Sequence, residues 1–425
     1  HGRCYRCRMS GVEMIIKKQY ASGLRLIIKK IDGLMSVTMG ILVGVGSAWE
    51  DEQTSGISHF IEHVNFKGTK KRTSFDISEN ADAIGAQLNA FTTKDMTCYH
   101  IKSTTEHAEE AFEILSDLFI NSTYEKTELD KERTVIVEEI NMDEDSPEDL
   151  VFDMLGEAYF GKTGYGRTIL GKTENVERFS KEDIGKYKDL HYTADNIVVS
   201  IAGNIDIEKA EEFVEKYMEG KLPVSDKKRI LALEKPILSD VCKRKDIEQV
   251  HFCLAFNGIR YSDPDVDPVN IINVALGGGM SSRLFQKVRE ELGLCYTVYS
   301  YPNAYVNTGT FVVYSAVNPK KYKLAYDTVL NVIDEFKLNG ITEAEFKRSK
   351  EQIKSSFTFS QDSTASQMNI YGKYLLFEDK IFDFESKINA INALNLDDVN
   401  EKIKEYFDFN SFATAVLGKN VEKLK

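Results

Sequence analysis

Cysteine is scarce and scattered: six residues in 425, at positions 4, 7, 98, 242, 253 and 295, form no compact framework. That argues against a disulfide scaffold and for a reducing compartment. Positive charge is short as well. With 54 Lys and Arg against 67 Asp and Glu, the formal charge of −13 leaves no basic surplus to neutralise phosphates, so nucleic acid is not an expected partner. No apolar run approaches the roughly 18 residues of a membrane span, and no signal-peptide core is visible. The expectation is a cytoplasmic protein with neither a membrane nor a nucleic acid as partner. The opening HGRCYRCRMSGVE, residues 1–13, lacks an initiating methionine and reads as an added leader; its Cys4 and Cys7 have no second pair at zinc-binding spacing.

What the chain does hold is enough apolar material for two cores. Its 42% hydrophobic and 28% charged residues are ordinary for a globular protein, and 425 residues exceed what one core usually supports. The halves are also related to one another. TELDKER at 127–133 returns as TEAEFKR at 342–348, and HYTADNIVVSIAGN at 191–204 as YFDFNSFATAVLGK at 406–419, both 215 residues later. TCYHIK (97–102) leads into an amphipathic helix over 106–119, and TFVVYS (310–315) into one over 320–336. ILVGVGSAWED (41–51) and LAFNGIRYSDPD (254–265) supply matching first strands. The expected class is therefore α+β: two duplicated domains, 14–225 and 241–425, each a mostly antiparallel sheet with helices packed on one face, joined by a linker at 226–240.

Only seven histidines occur, yet two fall in GISHFIEHVNFKGT, residues 56–69. In a helix, Ile57, Phe60, Ile61 and Val64 make a core face at i, i+3, i+4 and i+7, and His59, Glu62 and His63 share the opposite one. Two imidazoles one turn apart can grip one metal ion, and H-x-x-E-H is a zinc-protease signature. In this composition chance would produce H-x-x-[DE]-H about 0.02 times. A hydrolytic zinc needs a third protein ligand and one open position. DKERTVIVEEINMDED at 130–145 offers that ligand: beside a buried stripe of Leu129, Ile136 and Ile140 stand Glu132 and Glu139, while Glu138 points away. A carboxylate bordering a core stripe is costly unless a cation satisfies it, which favours Glu139 as the ligand and Glu132 as its support. Spacing alone leaves open that both simply pair with Lys or Arg.

At these residues the chain resembles the pitrilysin and mitochondrial processing peptidase family of zinc metallopeptidases, in its short two-domain bacterial form. The family carries H-x-x-E-H and then a glutamate; here His63 and Glu139 stand 76 apart, and the family's additional glutamate, seven earlier, falls on Glu132. The resemblance runs from SGLRLI (22–27) to AVLGKN (415–420). It implies a processing-peptidase-like fold and one Zn2+ per chain, held by His59, His63 and Glu139. Glu62 is implied to be the general base that takes a proton from water at the zinc, with Glu132 assisting catalysis. In GAQLNAFTTKDMTCYH (85–100), Asn89 and Ala90 are implied to bind substrate along a strand edge; the residues alone read equally as a turn into a strand. In GGGMSSRLFQKVREELGLCYTVYS (277–300), Arg289 and Tyr296 are implied to hydrogen-bond substrate backbone, although without the resemblance Arg289 is a solvated helix residue and Tyr296 a core residue.

The duplication adds that the second half has lost the ligands. Positions 212 to 215 beyond His59 and His63 are Ile271 to Val274 and Ala275 to Gly278, and Glu139 answers to Lys354. That half is expected to support substrate. Larger family members close four such domains as a clamshell, which implies a homodimer here, with Arg289 and Tyr296 acting on the partner chain's zinc site. The implied function is hydrolysis of unfolded peptides in a closed chamber. A rival reading is a non-catalytic scaffold subunit of the same fold, although such subunits usually lack the His59, Glu62, His63 and Glu139 set. One departure stands out: Asn65 follows Val64 where the family commonly has apolar residues.

Overall fold

The structure, a computed structural model, describes residues 4–8, 14–225, 231 and 235–424. Most of the expected leader and half of the expected linker lie outside the described residues. Within the leader, however, Cys4–Arg8 forms strand β1, paired antiparallel with β2, Met14–Gln19.

The remaining strands are β3 (Arg25–Lys30), β4 (Ser36–Val43), β5 (Gln87–Thr92), β6 (Thr97–Thr104), β7 (Ile197–Gly203), β8 (Asp240–Arg244), β9 (Val250–Asn257), β10 (Cys295–Ala304), β11 (Gly309–Val317) and β12 (Ala413–Gly418). They make two sheets, in the orders β1-β2-β3-β7-β4-β6-β5 and β10-β11-β9-β12-β8. The second order repeats the first from β5 back to β3, so the duplication extends from sequence to strand connectivity. Pairing is antiparallel throughout except between β3 and β7 and between β12 and β8. This is the α+β class with mostly antiparallel sheets that the sequence leads one to expect.

The two compact units are not simply the two halves of the chain. One comprises His1–Ile140, Thr168–Ile230 and Phe359–Phe382; the other comprises Asn141–Arg167, Leu231–Thr358 and Asp383–Lys425. The reason lies in strands such as β4, SVTMGILV, where seven of eight residues are buried. A strand buried on both faces reads as a continuous apolar run and needs a cover on each side. In the first unit, Val37, Met39, Ile41 and Val43 face the core built with the unit's own helices, including Ile57–Val64 and Ala108–Asn121. Leu42, Cys98 and Ala202 face the other way, against Met368 of helix Thr364–Glu378. In the second unit the extra cover is helix Pro147–Phe160, lying on β12, β9 and β8. Helices thus pack on one face from the unit's own half and are joined on the other by a single helix from the opposite half.

Glycine makes the close approach possible. A Cβ on Gly372 would stand 2.8 Å from Leu42 Cδ2, and one on Gly40 would meet the Met368 sulfur at 2.4 Å. Ser200 Oγ also donates to Met368 O at 2.7 Å, fastening the helix to β7.

Candidate metal centre

The helix over Ile57–Val64 forms where its apolar spacing predicts, and Ile57, Phe60, Ile61 and Val64 are all buried. At about 1.5–3 kcal/mol each, burial of these four side chains seats the helix firmly in the core. Its start is unusual. Gly56 at the N-cap has φ of 96° and its Cα lies so close to Leu170 O that a Cβ would stand 2.6 Å away, so glycine alone fits and no N-cap side chain is present. The acceptor comes from upstream: Glu50, 4% exposed, takes the Gly56 N–H at 2.7 Å and the Ser58 N–H at 2.9 Å. A carboxylate at a helix N-terminus also complements the helix dipole. Burial nevertheless outweighs those two bonds and pushes the Glu50 carboxyl up to about 7.

The long helix Lys126–Asp145 buries Leu129, Glu132, Ile136 and Ile140, leaves Glu138 exposed and half-buries Glu139. Ser146 and Pro147 close it and begin the next helix, Ser146 capping and Pro147 at its first position. This disposition brings Glu139 to the two histidines. Glu139 Oε2 lies 3.4 Å from His63 Nε2 and 3.7 Å from His59 Nε2. One donor atom from each of the three residues lies within 4.8 Å of the other two. Two donors bound at about 2.0–2.1 Å in a tetrahedron stand about 3.3–3.4 Å apart, so the spacing suits a shared zinc better than a direct hydrogen bond. Two imidazole nitrogens and one carboxylate oxygen are also the donor types that zinc takes in hydrolytic sites. The residues fit the ion.

The histidines differ in their support. His63 Nδ1 lies 2.9 Å from Glu132 Oε1, an arrangement that fixes the ring and leaves Nε2 toward Glu139. Burial works against the charged ring, but the bond to Glu132 and the charges of Glu62, Glu139 and Glu132 raise the His63 imidazole above its ordinary range. His59 Nδ1 is buried and has no hydrogen-bond partner among the described residues. Burial, and then the neighbouring His63, push His59 down to about 3, so it is a neutral ring with lone-pair density to give. Glu132 itself resists burial through its bonds from His63 and from Lys67, which hold it below the usual carboxylate range.

Glu62, on the same helix face, accepts a hydrogen bond from Thr92 Oγ1 at 2.6 Å. Burial raises its carboxyl above the ordinary range, Thr92 and His63 oppose that, and Glu139 adds to it. Thr92 ends β5, the edge strand of the first sheet. Asn89 is exposed on this strand and Ala90 half-buried, and the Asn89 side chain accepts the Ala90 N–H at 2.8 Å. Asn65, fully buried, accepts from Tyr124 OH at 2.7 Å, and its carbonyl accepts from Ser122 Oγ at 2.9 Å, while its amide nitrogen finds no acceptor among the described residues.

Arg289 and Tyr296 belong to the second unit. The Arg289 guanidinium lies 4.6 Å from the centres of the Phe285 and Tyr296 rings, and Tyr296 is 75% exposed, in contrast to a core strand residue. At the duplicated positions the second unit has helix Val266–Leu276, in which Ile271, Ile272, Ala275 and Leu276 are buried. It carries none of the ligand residues there. Sequence reasoning missed Glu50, Lys67 and Thr92. Glu50 alone had a local signal, an acidic run just before a helix whose N-cap is glycine.

Known proteins share the sequence family and the fold of this chain. The family model described as Insulinase (Peptidase family M16) matches residues 26–173, and that described as Peptidase M16 inactive domain matches 178–353. The uncharacterized zinc protease YmxG of Bacillus subtilis is 37% identical, covering 95% of this chain and 98% of its own. An uncharacterized zinc protease of Rickettsia felis is 32% identical over 94% of this chain and 96% of its own. Among solved structures, a protease from Helicobacter pylori superimposes with a TM-score of 0.89 at 21% identity, over 96% of this chain and 100% of that one. A peptidase M16 inactive domain from Pseudomonas fluorescens gives 0.90 at 19%, over 96% and 98%. These structural likenesses speak to the fold.

Proposed function

The chain belongs to the M16 peptidase family, and on that premise we propose that it is a zinc-dependent endopeptidase acting on unfolded peptides. The observation that carries this reading is the convergence of His59 Nε2, His63 Nε2 and Glu139 Oε2 from two distant helices, beside the half-buried carboxylate of Glu62.

His59, His63 and Glu139 would hold the zinc. When bound there, the ion supplies a Lewis acid that polarises a peptide carbonyl and makes water more acidic. Glu62 receives the proton from the attacking water and delivers it to the leaving amine, and its raised proton affinity suits a group that must do both. Thr92 holds one Glu62 oxygen, which leaves the other for the proton in transit. Glu132 orients the His63 ring. An extended peptide would add to the free edge of β5 at Asn89 and Ala90, where main-chain hydrogen bonds give affinity with little dependence on sequence.

We infer further that the active form is a homodimer enclosing a chamber, with Arg289 and Tyr296 reaching the partner chain's site, where guanidinium and phenol would hydrogen-bond substrate backbone. A cytoplasmic location is also part of the proposal. In its support, Cys98, Cys242, Cys253 and Cys295 are all free, and no helix among the described residues is long and apolar enough to cross a membrane.

Metal analysis combined with peptide cleavage tests the reading. Wild type is expected to carry one zinc per chain and to cut unstructured peptides; Glu62→Gln is expected to keep the zinc and lose cleavage. No zinc uptake and no cleavage by wild type would favour a scaffold subunit instead.

A further inference from the structure

We propose that Lys67 is a positioning residue for the metal centre, acting on His63 through Glu132. The inference rests on the reading that His59, His63 and Glu139 bind zinc. Glu132 has a side chain only 5% exposed, and its two oxygens are divided between two partners: His63 Nδ1 at 2.9 Å from Oε1 and Lys67 Nζ at 2.6 Å from Oε2. Lys67 ends the 3-10 turn Asn65–Lys67 that follows the motif helix, so one short stretch supplies both groups.

The terminal torsion of a glutamate is soft, and a carboxylate held by one partner can turn either oxygen toward it. Two partners on two oxygens remove that freedom. Lys67 occupies Oε2, which leaves Oε1 for His63 Nδ1 and the imidazole Nε2 for the metal. The ammonium also neutralises a carboxylate that would otherwise be buried with no full cationic partner. Because His59 Nδ1 has no hydrogen-bond partner among the described residues, the His63 side carries the polar orientation of the site. The Lys67 chain itself is 28% exposed, so its loss need not open the core.

Competition between metal-free protein and a chromophoric chelator for Zn(II) tests this. Lys67→Met is expected to weaken zinc binding roughly 10- to 100-fold, the usual cost of losing a group that orients a metal ligand, and Lys67→Arg to restore most of it. In a Glu132→Gln background, Lys67→Met should cost little more. The melting temperature of the metal-free protein should stay close to wild type in Lys67→Arg and fall in Lys67→Met without loss of a single cooperative melt, since His63 still bonds Glu132. Wild-type affinity in Lys67→Met would overturn the inference while leaving the zinc site intact. A loss that persists in full with Glu132→Gln, or that tracks a collapsed melt, would also overturn it and make Lys67 merely structural. Failure of wild type to bind Zn(II) at all would remove the functional reading on which it rests.

Discussion

His59 and His63 sit one helical turn apart with ring centres 4.5 Å from each other, yet they are held by different means. One is wedged by burial and the other is aimed by a carboxylate. Glu62 is held by a third means, a hydroxyl from the edge strand. Replacing that hydroxyl isolates its role: Thr92→Val should keep zinc and lower kcat about 10- to 100-fold, the worth of a hydrogen bond to a charged group, and Thr92→Ser should recover it. Steady-state kinetics with zinc content measured on the same sample checks this. An unchanged kcat in the valine variant would show that Glu62 is oriented by other contacts. His59, Glu62 and His63 were legible in the sequence because residue type and 3.6-residue spacing on one helix decide them. Glu139 was separable from Glu138 because the buried stripe of its own helix fixes which way each points. Thr92 reaches the site only through tertiary folding, which no local spacing encodes, and Lys67, four residues after His63, gains its role only once Glu132 folds against it.

At the scale of the element, the motif helix depends on an acceptor from outside itself. The Glu50 carboxyl titrates near 4.5 when unfolded and near 7 when folded, so the folded state binds its proton more tightly. This contribution to stability is present in full below about pH 4.5 and is lost as the pH rises through about 7, on the order of 3 kcal/mol in all. The melting temperature of metal-free Glu50→Gln should therefore decline less across that window than wild type does, while lying lower at its acid end because an amide cannot accept both backbone N–H groups. Parallel pH profiles would refute it. A second element-scale prediction concerns helix Thr364–Glu378. Gly372→Val would drive methyl groups into Leu42 and Ser200, and overpacking of this kind costs about 1–3 kcal/mol, readable as a lower urea midpoint. Strand and helix order were readable from the repeat. That each sheet borrows a helix from the other half was not, because a strand buried on both faces looks the same whichever segment covers it.

For the whole molecule, the proposed dimer makes a prediction that neither unit could make alone. Glu62→Gln abolishes the base in its own chain but retains Arg289; Arg289→Ala does the reverse. If Arg289 acts across the dimer, mixing and refolding the two weakened proteins should regain cleavage, because one hybrid site receives both functional groups. No recovery, with dimer exchange verified by light scattering and mass, would place Arg289 in the service of its own chain or of none. The trade of helices bears on a different event, the synthesis of the protein. A ribosome that has reached residue 225 has made His59, His63 and Glu139, yet residues 364–378, which close the far side of that sheet, are still to come. Leu42, Cys98 and Ala202 must therefore stay uncovered until translation has passed residue 378. The nascent chain would meet that interval with an apolar sheet surface that invites chaperone capture, and a metal centre ready before its support is complete.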